Sequence, residues 1–439
     1  MHALRALALA APLLWSCAGP SLTTRHHDQQ DAWQRSAPAP PAADDPFAGH
    51  ATLERQALIA AVLARNPSIA SARWAWRAAL ARYPQDTALD DPMLEYGLAP
   101  ASLGSSRVDT GQRAVLSQAF PFPGKRALRG EIALAEAEAA ASDFAAVRLR
   151  LATLASLLFD QAYLIERKLA VNEAHRALLS ELREIAVARY EAGTASQQDP
   201  LEAELEEAEL LHRDVMLRAD RAVTVEQLNA LLHRAAALPL PPPPAALEPR
   251  APAAGARDAL LDRAFAERPE RRAAEARVRA REAAVDLARR EFLPDLRVMG
   301  TYDTFWEESE LRPMLGVELN LPVRRARREA ALDEAKASLE EAKSMRAGTD
   351  DQVRLSVARA LERLAEAHHA LEIVRDRKLP AARDRVDAAR AAFETGQSDF
   401  SAVIGAERSL RDAELDYEET LVEVSRWHAE LARASGELP

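Results

Sequence analysis

The side chains that could do chemistry in this sequence are few and scattered. Among its ten histidines, His26-His27 and His368-His369 are adjacent pairs, and Cys17 is the only cysteine. Neighbouring residues on a helix point about 100° apart, so His368 and His369 are badly placed to chelate one ion and fit a solvated helix face better. His26-His27 lies in a polar N-terminal stretch and could hold a metal only loosely. A lone cysteine forms no internal disulfide and builds no Cys-rich zinc or iron–sulfur centre. The sequence holds no nucleophile constellation, no phosphate loop and no His-Glu-x-x-His pair, so neither catalysis nor a metal or other cofactor is indicated. Asp199 and Asp399 each follow a glycine-containing turn, where a carboxylate complements a helix N-terminus by about 0.3–1 kcal/mol. Two basic clusters remain: Lys125, Arg126 and Arg129 after Pro121, and Arg324, Arg325, Arg327 and Arg328 after Pro322. They suit a solvated helix surface or, where strand turns into helix, lipid phosphates at a membrane rim.

Positioning these residues is the work of long helices. Of 439 residues, 48% are hydrophobic, yet only 15 are glycine and 5% aromatic, a balance that excludes a doubly wound nucleotide-binding sheet or a β-sandwich. The formal charge of -11 repels a nucleic-acid backbone. From Lys125 to Tyr190 and from Ala326 to Phe393 the chain runs for roughly 65 residues, or about 100 Å of helix, each run broken by one glycine, Gly130 and Gly348. Pro380 predicts a kink or break in the second run. In the last helix Val403, Leu410, Tyr417 and Val424 lie seven apart, as do Ala406, Ala413, Thr420 and Trp427, which predicts left-handed coiled-coil packing.

These helices belong to a duplication. Asn66-Pro67 answers Arg268-Pro269, Pro92 answers Pro294, Pro121 answers Pro322, and Tyr190-Glu191-Ala192-Gly193 answers Phe393-Glu394-Thr395-Gly396, all at offsets of 201 to 203 residues. Each copy reads as helix, strand, loop, strand, very long helix, tight turn and helix. The expected divisions are a signal peptide at 1–16, a flexible tether at 17–50, a first repeat at 51–235 with a turn near 193, a proline-rich linker at 236–255, and a second repeat at 256–439 with a turn near 396. Strands are expected at about 92–99, 112–121, 294–304 and 314–322. The alternation is clear in Leu315, Val317, Leu319 and Leu321 against Gly316, Glu318 and Asn320, and in Leu296, Val298, Gly300 and Tyr302 against Arg297, Met299, Thr301 and Asp303; it is blurred in the segment near 112–121. A small sheet lying on helices would account for it. So would strands of membrane-crossing length, and since a membrane barrel needs about eight strands, four would then have to be joined by strands of other copies.

At the N-terminus an apolar run from Ala6 to Trp15 is too short to span a bilayer and has the length of a signal-peptide core. It ends in Leu14-Trp15-Ser16-Cys17, which resembles the bacterial lipoprotein signal with Cys17 as the acylated first residue; Ala18 in place of Asp then implies outer-membrane sorting.

From about Thr52 onward the chain resembles the TolC-like outer-membrane efflux family. The likeness rests on the order and duplication of Gln118-Ala119-Phe120-Pro121-Phe122-Pro123-Gly124-Lys125-Arg126, Ala188-Arg189-Tyr190-Glu191-Ala192-Gly193-Thr194-Ala195-Ser196, Phe292-Leu293-Pro294-Asp295-Leu296 and Phe393-Glu394-Thr395-Gly396. The resemblance implies a mainly α fold with a small membrane β part. Three copies would form a twelve-stranded β-barrel continued by a periplasmic α-helical barrel, the outer-membrane exit duct of a tripartite pump with a periplasmic adaptor (membrane fusion protein) and an inner-membrane pump. Phe120 to Arg126 is most similar to the branch serving heavy-metal cation exporters of the resistance-nodulation-division class. In such a protein Arg189, Tyr190, Gly193, Thr194, Phe393 and Gly396 would be adaptor-docking residues. Asp199 and Asp399 would form carboxylate rings at the entrance gate, and Lys125, Arg126, Arg129, Arg324 and Arg325 would meet outer-membrane lipid. The competing reading is a periplasmic coiled-coil scaffold lipoprotein without transport activity.

Overall fold

The computed structural model describes residues 20–37, 45–104, 106, 109–248 and 257–439. Two compact units divide the chain: the described part of Met1–Ala37 with Ala72–Phe144 and Glu270–Thr349, and the described part of Pro38–Ser71 with Ala145–Pro269 and Asp350–Pro439. Cys17 and the expected signal peptide lie outside the described residues.

In chain order come α1 (Pro20–Arg35), α2 (Arg55–Arg65), α3 (Pro67–Leu80), α4 (Arg82–Thr87), β1 (Met93–Leu98), β2 (Gln112–Phe120) and α5 (Lys125–Glu191). Then follow α6 (Gln198–Leu231), α7 (Arg257–Glu267), α8 (Pro269–Arg290), β3 (Leu296–Asp303), β4 (Pro313–Leu319), α9 (Arg325–Ile373), α10 (Leu379–Glu394) and α11 (Phe400–Ser435). The duplicated Asn66-Pro67 and Arg268-Pro269 each sit at a helix break, because a proline disfavours helical backbone in the residue before it yet starts a new helix well. Ahead of Pro380 the helix passes through a π turn over Val374–Lys378, in which the Leu379 amide reaches five residues back to the Val374 carbonyl. The second strand pair is shorter than expected, since Asp295 and the residues around Pro322 serve the strand–helix junction instead.

The first unit holds the sheet, antiparallel throughout in the order β1-β2-β3-β4. Beneath it, Leu22, Tyr83, Ala133 and Leu134 make a small core. This core corrects the expectation of a flexible tether. Pro20–Arg35 is a helix because Leu22, His26 and Trp33 recur at helical spacing: Leu22 and His26 are buried, and Trp33 donates its indole N–H to the Arg73 carbonyl at 3.0 Å.

The second unit is helical. Val353, Val357, Ala360, Leu364, Ala367 and Leu371 form a heptad seam on α9 against Leu421, Val424, Leu431 and Ala434 of α11. A second cluster joins Leu179, Leu182 and Ala186 of α5 to Ala203 and Leu210 of α6 and Phe400, Val403 and Ile404 of α11. Helix α11 is therefore buried along more than the predicted seam.

Candidate functional site

Cross-strand register assembles the two faces of the sheet. Leu94 stands opposite Leu116 and Tyr96 opposite Ala114; Val298 faces Gln118 on one side and Val317 on the other, and Leu296 faces Phe120 and Leu319. Leu94, Tyr96, Leu116, Leu315, Val317 and Leu319 on this face are all more than half exposed. The opposite face carries Glu95, Arg113, Ser117, Arg297, Thr301 and Glu318, with Arg297 and Glu318 directly opposed at 3.8 Å. The blurred segment thus falls into place: Ala114, Leu116 and Phe120 look to the apolar face. Among the described residues β1 and β4 each pair on one side only. An uncovered apolar sheet face with two open edges is untenable in water, but it is what a lipid-facing barrel segment presents. At the loop end of the strands Thr304 accepts the Gln112 amide at 2.7 Å and donates to the Thr110 carbonyl at 2.8 Å, and Phe305 and Trp306 stand exposed.

The other end of the sheet is tied by a buried charge. Lys125, only 1% exposed, donates to Asp295 at 2.9 Å, Glu291 at 3.1 Å and the Leu293 carbonyl at 3.2 Å. Asp295 also accepts the Phe122 amide at 2.7 Å. Lys125 is therefore not a membrane-rim contact: its three donors are consumed inside the protein, and an ammonium so enclosed persists only when paired. Arg126 turns its Nε to the Thr87 carbonyl at 2.8 Å, Arg129 lies 4.0 Å from Glu291, and Arg324 and Arg325 are exposed.

In the second unit the two hairpin turns share one geometry. Gly193 and Gly396 have φ of 70° and 72°, a left-handed backbone that other residues rarely adopt. Past each glycine an amide reaches five residues back, Thr194 to the Arg189 carbonyl at 2.9 Å and Gln397 to the Ala392 carbonyl at 2.8 Å. The turns also meet: the Arg189 guanidinium lies 4.3 Å above the Phe393 ring, which tilts against Phe400 at 5.6 Å, while Tyr190 is exposed. Thr194 donates its hydroxyl to the Arg189 carbonyl at 3.0 Å. Asp199 lies in the first turn of α6 and is half-buried; Asp399 is the N-cap of α11, exposed and making no capping hydrogen bond.

The histidines stand apart from one another in role. His26 is buried, stacks on Tyr83 at 4.5 Å and hydrogen-bonds the Leu80 carbonyl at 3.2 Å, so it is a packing residue and not a loose metal ligand. Burial holds its pKa below the ordinary value, with the charges of His27 and Arg77 acting the same way. His368 packs edge-on against His428, whereas His369 is exposed. No group of three or more metal-ligating side chains occurs among the described residues.

Sequence reasoning passed over a chain of buried polar contacts in the second unit. Asp160 is fully buried and accepts from Arg55 at 2.6 Å and Ser425 at 3.0 Å. Glu418 accepts from Tyr163 at 2.9 Å and Arg167 at 2.7 Å, and burial together with Glu418 raises the Tyr163 pKa. Glu206 of α6 pairs with Arg411 of α11 at 2.7 Å, and His175 meets Glu414 at 2.9 Å. The available signal was a charged residue inside an Ala/Leu-rich helical window.

Residues 260–437, most of the second repeat, match the family described as outer membrane efflux protein. No curated protein matches the chain in sequence. Its fold is that of solved outer-membrane channels. The outer-membrane channel OprN superposes with a TM-score of 0.74 at 19% identity, covering 91% of this chain and 96% of that one. A membrane protein from Pseudomonas aeruginosa gives 0.73 at 22%, covering 91% and 98%. The outer membrane protein VceC from Vibrio cholerae gives 0.74 at 19%, covering 87% and 96%.

Proposed function

We propose that this chain is the outer-membrane channel subunit of a tripartite efflux pump, a passive duct rather than an enzyme. Three copies supply four strands each to one twelve-stranded barrel, and their helices continue it as a periplasmic tube. The observation that carries this reading is the largely apolar face that spans all four strands of a sheet with two open edges. A periplasmic scaffold has no use for such a face. The family match over the second repeat and the channel folds of the similar structures support the same reading.

Cys17 is the lipid anchor in the outer membrane. The hairpin turns around Arg189, Tyr190, Gly193, Thr194, Phe393 and Gly396 receive the adaptor, and Asp199 and Asp399 line the entrance. Arg324 and Arg325, exposed where strand passes into helix, supply the membrane-rim contacts together with Arg129, while Arg126 is turned away to the Thr87 carbonyl. The segment Phe120 to Arg126 supports heavy-metal cations as cargo and a resistance-nodulation-division pump as inner-membrane partner.

Detergent extraction and planar-bilayer recording test the core claim. The expected result is an oligomer that resists mild detergent, shifts on heating and conducts ions. Release as a non-conducting soluble rod once Cys17 is replaced by Ser would overturn it in favour of the scaffold. Comparing metal-ion and organic-compound export in a deletion strain tests the cargo.

A further inference from the structure

Beside the helix-side ends of the strands lies a cavity of about 290 Å³ walled by Leu89, Phe120, Phe122, Pro294, Leu296 and Leu319. Phe120, Leu296 and Leu319 stand in one cross-strand row on the apolar face, so the cavity is the end of that face. Water would find few partners there, and an unfilled apolar space forfeits dispersion contacts along its walls. Nor does it suit a lipid phosphate: Arg126, which also lines it, commits Nε and Nη2 to the Thr87 carbonyl, and the neighbouring Arg290 donates to the Pro123 carbonyl at 2.7 Å. Its chemistry is that of a hydrocarbon chain.

Helix α1 begins against the stretch of α5 that follows the cavity-lining Arg126. Leu22 is buried against Tyr83 and Leu134, and Ala127, which packs on the same cluster, directly follows Arg126. The helix is pinned in this place by His26 on Tyr83, by Arg25 on Glu138 at 2.8 Å and by Gln29 on Glu138 at 3.2 Å. Three residue steps lead from Pro20 back to Cys17, a reach of about 10 Å. A chain attached at Cys17 is thus tethered to the same subunit as the cavity, whatever lipid surrounds the sheet.

We infer that the cavity is the berth of an acyl chain carried by Cys17, and that α1 is the strut that delivers it. The inference rests on the proposed lipidation of Cys17. In this arrangement the anchor plugs the strand–helix junction of its own subunit as well as joining the surrounding membrane.

The test feeds cells a fatty acid bearing a diazirine, irradiates them, purifies the full-length oligomer and maps the cross-links by mass spectrometry. The expected result is covalent joining of the Cys17 peptide to peptides containing Phe120–Phe122 or Leu296. Cys17→Ser should lose these links. Leu89→Trp, which fills the cavity, should lose them while Cys17 stays labelled. If Cys17 is labelled but the cavity peptides carry phospholipid adducts alone, or none, the berth is wrong and the anchor stands. An unlabelled Cys17 overturns berth and anchor together, and the label itself tells the two failures apart.

Discussion

Lys125 and His26 are both buried basic side chains of the first unit. Lys125 closes a charged knot whose partners, Asp295 and Glu291, are 35% and 42% exposed. Breaking a fully buried pair costs about 3–5 kcal/mol, and the partial exposure of both carboxylates lowers the expectation for Lys125→Met to about 1–3 kcal/mol. The heating temperature at which the oligomer dissociates in detergent measures it; an unchanged temperature would mean that the knot is idle. His26 makes a pH prediction. Its folded pKa lies below its unfolded value of 6.5, so its contribution is full above that value and is lost as pH falls through the folded pKa. Besides Tyr83 and the Leu80 carbonyl, it faces His27, Gln30 and Arg77, none of which offers a negative charge to a protonated ring. Acidification from above the unfolded value down through the lowered folded pKa should therefore progressively loosen α1, read as faster proteolysis between α1 and α2, and His26→Gln should flatten that dependence.

At the scale of elements, the sheet's two faces make opposite demands. An arginine at Val317 would stand in the apolar row opposite Val298, at a cost of about 2–4 kcal/mol near the bilayer midplane, whereas Glu318→Gln loses only a facing pair with Arg297 at 3.8 Å. Assembly yield in the outer membrane should drop sharply for the first and hardly at all for the second. The reverse outcome would exchange the lipid and lumen faces. Among the helices, α11 bears the heaviest packing, since it meets both the α9 seam and the α5–α6 cluster. Its buried Glu407, Arg411 and Glu418 are tolerated because partners on other helices neutralise them, which ties the two hairpins to each other in register as well as in contact.

For the whole molecule, the informative measurement is conductance. Asp399 opens α11 with an exposed carboxylate that caps nothing, so in a threefold assembly three such groups are free to converge on the axis. Multivalent cations should then block the channel from the periplasmic side, because converging carboxylates attract them far more strongly than one surface aspartate does. Asp399→Asn should remove most of that block, and Asp199→Asn less, since Asp199 is half-buried in its own helix turn. Block that survives in the Asp399 variant would return the residue to the role of a helix-terminus acid and leave the duct intact.

What the sequence determined by itself is everything set by local geometry and repeated. The alternation of Leu315, Val317 and Leu319 with Gly316 and Glu318 needs only the two-residue period of a strand. The left-handed turns at Gly193 and Gly396 follow from the steric freedom of one residue type, and the duplication made each such signal visible twice. The apolar row through β2 was obscured because Gln118 interrupts it; only pairing with β1 and β3 shows which side Leu116 and Phe120 take. Tertiary structure alone decided that Lys125 is sealed by Asp295 across 170 residues of chain, and that Pro20–Arg35 is a docked helix rather than a tether. It likewise decided that Arg55 meets Asp160 and Arg411 meets Glu206. A charged side chain looks the same in sequence whether it faces water or a partner on a distant helix. Which of the two it meets is settled by how the elements pack, and no local period records that.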